Sequence, residues 1–352
     1  MAKKKAKKKT AKALDIKGAV AAANSVEKLP AIHSYLSTGC TVLDLAISNR
    51  IDGGIPVGRI VHCFGASSTC KSVFGTTISG ASIRNGDPVH YGDVEHTLDP
   101  QFAAYYGLDM SNKLFHTDSP ISLEDMFERW LWDLMVKQKK DGKKPLILDK
   151  TPKLAVVDSI SALPAEYEIE NSILDKGYSP RARQMSKALR KFIEPLATSN
   201  TTLFAIDQTR DKVGSFVGGE CVSGGRSLKF YASTQIYLIM DAKVKNTSDK
   251  VIGHWVKFKI VKNKVAPPYR EGRVLILFDY GLDDISSSLY FLSFEQQKGS
   301  AKEANKKSTK IKFLGEEKKM SDWVKLIEKE NLEQELKDEV EKVWHQVYAP
   351  VD

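Results

Sequence analysis

"RIVHCFGASSTCKSVFGTTISGASIRNG", Arg59 to Gly86, joins a short apolar run, a polar turn and a small-residue stretch closed by Asn85-Gly86. The run Arg59–Phe64 has the length of a strand, and the stretch from Ser72 onward reads as a helix. Between them, "GASSTCKS" (Gly65–Ser72) differs at one position from the phosphate-loop pattern G-x-x-x-x-G-K-[ST]. Such a loop turns backbone N–H groups inward ahead of a helix N-terminus, where they meet phosphate oxygens. Gly65 makes the turn, and Ala66, Ser67, Ser68 and Thr69 supply the backbone. Lys71 reaches for phosphate and Ser72 offers a hydroxyl to Mg²⁺. Cys70 stands where the second glycine belongs. Its Cβ resists positive φ and close approach, at a cost of about 1–3 kcal/mol. Contacts to a triphosphate are able to offset that cost, so the loop reads as weakened and not as excluded. The competing reading is an ordinary polar strand–helix turn.

Two later carboxylates strengthen the functional reading. "LAVVDS" is a buried-type strand that delivers Asp158 after the loop, the order in which a Mg²⁺ shell is completed. "PVHYGDVE" is a strand ending in Glu95, a carboxylate able to orient or deprotonate an attacking water. His96 beside it reads as a polar neighbour, not a base.

Strands alternate with helices around these motifs. "ISLEDMFERWLWDLMVKQKK" and "PRARQMSKALRKFIEPLATSN" read as helices, and "TLFAID" as a strand. The pattern predicts an α/β fold with a mainly parallel sheet and ligands at the carboxyl ends of its strands. From about residue 227 the texture changes. "KFYASTQIYLIM", "HWVKFKIVKNK" and "GRVLILFDY" read as strands of an antiparallel edge. Residues 1–34 read as a lysine-rich tail and a helix over "DIKGAVAAANSVEKL". Residues 35–295 read as the core, and 296–352 as a linker with a small helical appendage. Ser321 or Asp322 suits the start of that appendage, and its Trp residues read as core.

The chain has 352 residues, 42% hydrophobic and 28% charged, which suits a substantial core. Its net charge is +9, but the first twelve residues hold seven lysines, leaving about +2 for the rest. That block is a solvated tail or a phosphate-contacting arm for nucleic acid. Cys40, Cys63, Cys70 and Cys221 form no C-x-x-C pair, which argues against zinc or a disulfide framework and for a reducing cytoplasm. No apolar run approaches the roughly 18 residues of a membrane span, and no secretory signal follows the basic start.

At "GDVEHTLDPQFAAYYGLD" (Gly92–Asp109) the chain resembles the RecA recombinases. The likeness recurs in order in "STGCTVLDLAI", "GGIPVGRIVHCFG", "LAVVDSISALPAEYEIE", "RARQMSKALRKF", "IDQTRDKVG", "SGGRSLKFYAS" and "KIVKNKVAPPY", over about residues 35–285. "SSTCKSVFG" is closer to the phage UvsX branch, where a bulky residue precedes the loop lysine. The resemblance implies a RecA-like P-loop ATPase core that uses ATP and Mg²⁺. It also implies a homo-oligomeric helical filament on single-stranded DNA, exchange with double-stranded DNA, and cytoplasmic location. Analogy adds a single-strand-binding protein and a loading mediator as partners. Residue by residue, Asp99 and Phe102 would hold adenine, and Gln208 would sense the γ-phosphate. Lys262 and Lys264 would reach a neighbour's phosphates. Arg183, Ser186 and Arg190 would bind DNA from a helix after the first loop, with Gly224 and Gly225 in the second. Arg210, Lys212 and Arg226 add cations there, and Phe216 is either a base contact or a packed anchor.

Departures from the family pattern are Cys70, Asp207 in place of Asn, an insertion near 130–150 and a vaguely matching C-terminus. Rival readings are another RecA-fold motor or loader, and a DNA-coating protein that does not hydrolyse ATP.

Overall fold

Continuous apolar runs without alternation suit strands covered on both faces, and here they form the middle of a ten-stranded sheet. The computed structural model describes residues 32, 34–137, 146–147, 153–171, 181–211, 220–222, 225–298 and 310–349. The chain runs through α1 (Thr41–Ser48), β1 (Ile60–Gly65), α2 (Lys71–Arg84), β2 (Val89–Asp93), α3 (Pro100–Tyr105), β3 (Phe115–Thr117) and β4 (Leu154–Asp158). It continues through α4 (Arg181–Ser199), β5 (Thr202–Asp211), β6 (Glu220–Val222), α5 (Gly225–Tyr231), β7 (Thr234–Lys245) and β8 (Val251–Asn263). Then follow β9 (Glu271–Leu277), β10 (Gly281–Asp283), α6 (Asp284–Lys298), a hairpin of β11 (Lys310–Phe313) and β12 (Glu316–Lys319), α7 (Met320–Glu330) and α8 (Glu333–Val347).

The strand order is β10-β9-β8-β7-β1-β5-β4-β2-β3, with β6 paired to the end of β5. From β7 to β3 every neighbour is parallel, and β8, β9 and β10 add antiparallel pairs at the other side. Both expectations, a parallel centre and an antiparallel edge, hold. β1 and β4 are buried along their whole length. One face of the sheet is covered by α1, α2 and α6, and the other by α4, α5 and the helical run before β4. α2 can press against the sheet because it carries glycine where a side chain would collide. A Cβ on Gly75 would lie 2.9 Å from Ile206 Cδ1 and 3.3 Å from Val156 Cγ1.

Several local readings are corrected. "KFY" belongs to the end of helix α5, not to a strand, because Leu228 and Ala232 recur at helical spacing and are both fully buried. The strand through "PVHYGDVE" stops at Asp93, so Glu95 lies in the turn beyond it. The helix from Ser122 ends at Met135 and contains a π-helical segment, Met126–Leu131. Val136–Lys137 then pairs with Leu146–Ile147, while the basic turn of the insertion lies outside the described residues. So do the lysine-rich tail and the helix expected near 15–29. The helix α6 runs on to Lys298, past the expected boundary at 295/296. α7 starts at Met320 after Lys319, without a side-chain cap from Ser321 or Asp322.

The C-terminal region packs on the core. Trp323, Ile327, Leu336, Val340 and Trp344 join the same apolar cluster as α1 and α6. Trp344 is fully buried, donates to Asn49 Oδ1 at 3.1 Å and lies under the Arg270 guanidinium. Trp344→Ala is expected to destabilise the protein by about 3–5 kcal/mol, read from the midpoint of chemical unfolding.

Candidate nucleotide site and nucleic-acid interface

β1 ends at Gly65, whose Cβ position would fall 2.4 Å from Leu238 O and 2.8 Å from Thr69 Oγ1. Glycine is therefore needed where the chain turns back over the neighbouring strand. Ser68 and Cys70 both take the left-handed conformation, φ 62° and 63°. Cys70 thus adopts the backbone geometry that a glycine would supply, and its side chain tucks partly against the core. Burial pushes its thiol up to about 11, so it stays a neutral thiol at neutral pH. Relief of left-handed strain and loss of packing oppose each other in Cys70→Gly, which is expected to change stability by less than about 1 kcal/mol. Cys70→Val puts a β-branched residue at positive φ and is expected to lose about 2 kcal/mol in the same unfolding assay.

Lys71 opens α2 and is only 6% exposed. Its Nζ donates to Ala66 O at 2.6 Å, curling over the loop. Desolvation lowers its pKa, opposed by Cys63, Asp158, Glu95 and Asp207. Asp158, at the end of β4, has the complementary problem. Desolvation raises its pKa, hydrogen bonds from Ser72 and Tyr91 counter this, and Glu95 and Asp93 raise it further. A desolvated lysine and a desolvated carboxylate on adjoining elements suit a ligand carrying both signs, such as a Mg²⁺-bound triphosphate. Ser72 and Asp158 would hold the metal.

A groove of about 260 Å³ leads from Ser72 and Asp158 past Thr76 and Tyr91 to Asp99, Phe102 and Tyr106. Asp99 caps α3 by accepting from the Gln101 and Phe102 N–H groups, both at 2.9 Å. Phe102 is 53% exposed, an apolar wall with an uncovered face. The expected adenine residues therefore line the same groove as the expected metal ligands.

Glu95 is drawn to the end of β4 by its own N–H, which donates to Asp158 O at 3.2 Å. Its Oε1 accepts from Ser159 Oγ at 2.5 Å and from Gln208 Nε2 at 3.0 Å. The structure thus brings Lys71, Ser72, Glu95 and Asp158 to the carboxyl ends of β1, β2 and β4, beside Gln208, the last residue of β5 paired to β1. Asp207, one residue before Gln208, points elsewhere. It is fully buried and meets His62 Nε2 at 3.4 Å, while His62 Nδ1 lies 3.0 Å from Gln235 Nε2.

Lys262 and Lys264 do not join this site within one chain. Lys262 pairs with Gln235 at the opening of β7, whereas the phosphate loop leaves β1 level with Leu238. Lys262 Nζ instead donates to the Lys229 and Phe230 carbonyls at the end of α5, at 3.0 and 2.7 Å. Lys264 is held by its backbone N–H to Ser233 O at 3.0 Å.

Of the DNA candidates, Arg183, Ser186 and Arg190 lie at i, i+3 and i+7 on α4, with both arginines exposed. Arg210 lies in the stem of a β5–β6 hairpin, opposite Cys221. Gly225 and Arg226 open α5. Lys212, Phe216 and Gly224 lie outside the described residues. Sequence reasoning missed Tyr91, which donates to Asp158 Oδ2 at 3.0 Å, and the roles of Ser159 and Ser161 beside Glu95. Their only signal is the hydroxyl-rich "DSIS" after the β4 run. Among the described residues no helix is long and apolar enough to cross a membrane.

The model of the RecA N-terminal domain matches residues 4–283. The RecA protein of Helicobacter pylori is 36% identical over 322 residues, covering 87% of this chain and 85% of that protein. RecA of Thermus aquaticus is 36% identical over 270 residues, covering 76% and 74%. The crystal structure of the RadB recombinase overlaps with a TM-score of 0.49 at 20% identity, over 71% of this chain and 99% of that one. The chain belongs to the RecA family of DNA strand-exchange recombinases.

Proposed function

We propose that this protein hydrolyses ATP in a cycle coupled to DNA, and that the cycle drives filament formation and strand exchange. The observation that carries the reading is Gln208 Nε2 on Glu95 Oε1, 3.0 Å apart, at a site that also holds Lys71 and Asp158. The phosphate loop and the α2 N-terminus receive the triphosphate, and Lys71 leaves Ala66 O to meet it. Mg²⁺ held by Ser72 and Asp158 supplies neutralisation of charge on the phosphate oxygens. Asp99 and Phe102 bound the adenine end of the groove. Glu95 orients the water and takes its proton.

A γ-phosphate competes with Glu95 for Gln208. Among the described residues the strand beyond Gln208 pairs only with β6, so Gln208 sits at the base of the hairpin that leads to the second DNA loop. Moving Gln208 changes that hairpin, and DNA bound there changes Gln208 in return, since coupling is reciprocal. Arg183, Ser186 and Arg190 contact DNA phosphates from α4. Lys262 and Lys264 act on the site of a second copy. Their distance from their own phosphate loop supports this, and a head-to-tail interface of that kind extends as an open helix. The stretch "SSTCKSVFG", with its bulky residue before Lys71, supports a place in the phage UvsX branch. A single-strand-binding protein and a mediator rest on analogy.

The test is phosphate release from ATP with and without single-stranded DNA. Release strongly stimulated by DNA is expected. No release under either condition would favour the DNA-coating reading, for which Cys70 is the specific support.

A further inference from the structure

Ser161 forms part of a hydrogen-bonded ring whose direction follows from chemistry alone. Ser159 Oγ is 2.5 Å from Glu95 Oε1 and 3.0 Å from Ser161 Oγ. The Gln208 backbone N–H donates to Ser161 Oγ at 3.3 Å. A serine hydroxyl has one proton to give, and a carboxylate can only accept. Ser159 therefore gives its proton to Glu95, so its oxygen is the acceptor toward Ser161. Ser161 gives its proton to Ser159 and accepts from Gln208. The chain runs from the Gln208 N–H through Ser161 and Ser159 to Glu95. The Gln208 side chain reaches the same Glu95 oxygen directly, at 3.0 Å. One residue thus grips one carboxylate oxygen twice.

The position of Gln208 gives this ring a purpose. It is the last residue of β5 paired to β1, opposite Gly65, and from Thr209 onward the strand pairs with β6 in the hairpin stem. A shift of that stem moves the Gln208 N–H. Ser159 and Ser161 hang from the end of β4, which is anchored in the sheet and tied to β5 by Ile160 N–H on Ile206 O at 2.9 Å. A moving donor therefore faces a fixed acceptor.

We propose that Ser161 is a positioning residue that reports the state of the second DNA loop to Glu95 through Ser159. The proposal rests on the ATPase reading above. With the stem seated, Glu95 Oε1 is occupied by two donors and is poorly available to a water. When DNA moves the stem, Gln208 withdraws both its N–H groups. Bonds in such a chain polarise one another, so loss of the first weakens the donation of Ser159 into Glu95. The carboxylate is then freer to act on the water.

The experiment measures phosphate release by the full-length protein, with and without single-stranded DNA, for the wild type, Ser161→Ala and Ser161→Thr. Ser161→Ala is expected to raise DNA-free release about two- to five-fold, with the DNA-stimulated rate and the KM for ATP nearly unchanged. The stimulation factor falls accordingly. Ser161→Thr keeps the hydroxyl and is expected to keep wild-type stimulation. An unchanged stimulation factor in Ser161→Ala overturns the relay, as does an equal loss in both conditions, which a merely structural role would give. Wild-type protein that releases no phosphate at all overturns the ATPase reading, and the relay with it. That outcome is distinguishable because it is seen before any variant is made.

Discussion

Lys71→Ala loses ATP hydrolysis by about a thousand-fold or more, and strand exchange falls with it. The magnitude follows from where the ammonium sits. Lys71 is buried at the first turn of α2, where desolvation disfavours its charge and the negative charges of Asp158, Glu95 and Asp207 favour it. Truncation removes the ammonium that offsets the negative charge of Asp158 and Glu95, just where a triphosphate would add more negative charge. Anion binding is therefore lost together with stabilisation of charge in the transition state. Nζ now bonds to Ala66 O, a contact that an alanine leaves to water, so the fold is expected to persist. ATP binding, phosphate release and exchange between homologous strands are the measurements. Exchange at the wild-type rate by this variant would sink the scheme, because no other side chain of the loop carries a full positive charge.

Local chemistry explains which features were legible in the sequence. The strand–loop–helix at Arg59–Gly86, the apolar run before Asp158 and the helix of α4 are each dictated by contiguous residues, and each was read correctly. Cys70 was read as a residue forced to positive φ, and it has φ 63°. Features set by distant residues were not legible. "KFY" has strand-forming residues, but burial of Leu228 and the lysine-capped end of α5 make it a helix. The C-terminal helices looked like an appendage, because only tertiary contact reveals Trp344 against Asn49 and Arg270. Asp207 stands in the sequence only as a departure from the family pattern, directly before Gln208. The alternation of side chains along β5 sends it to His62 while Gln208 goes to Glu95. The positions of Lys262 and Lys264 became clear only from register, since nothing local tells which end of the sheet a lysine on β8 occupies. Ser161 had no motif behind it at all, and its meaning lies in three distances.

Glu95→Gln separates binding from chemistry, and the contrast with Lys71→Ala is the sharper test of the site. Glutamine has the same shape, and its amide oxygen can still accept from Ser159 and from Gln208. The ring around Gln208 and the end of β4 should therefore remain assembled. What is lost is a carboxylate able to take a proton, and loss of a general base lowers the rate by about a hundred- to ten-thousand-fold. Lys71, Ser72 and Asp158 are untouched, so ATP should still bind. Filaments formed with ATP on single-stranded DNA are then expected to persist, because the γ-phosphate that biases Gln208 is no longer removed. The expected pattern is slow phosphate release, retained DNA binding and slow DNA release, against Lys71→Ala, which loses ATP binding and DNA binding in the ATP state together. If Glu95→Gln released phosphate within about ten-fold of the wild type, Glu95 would be a structural anchor for Gln208 and not the base. The water would then have to be activated by a different group.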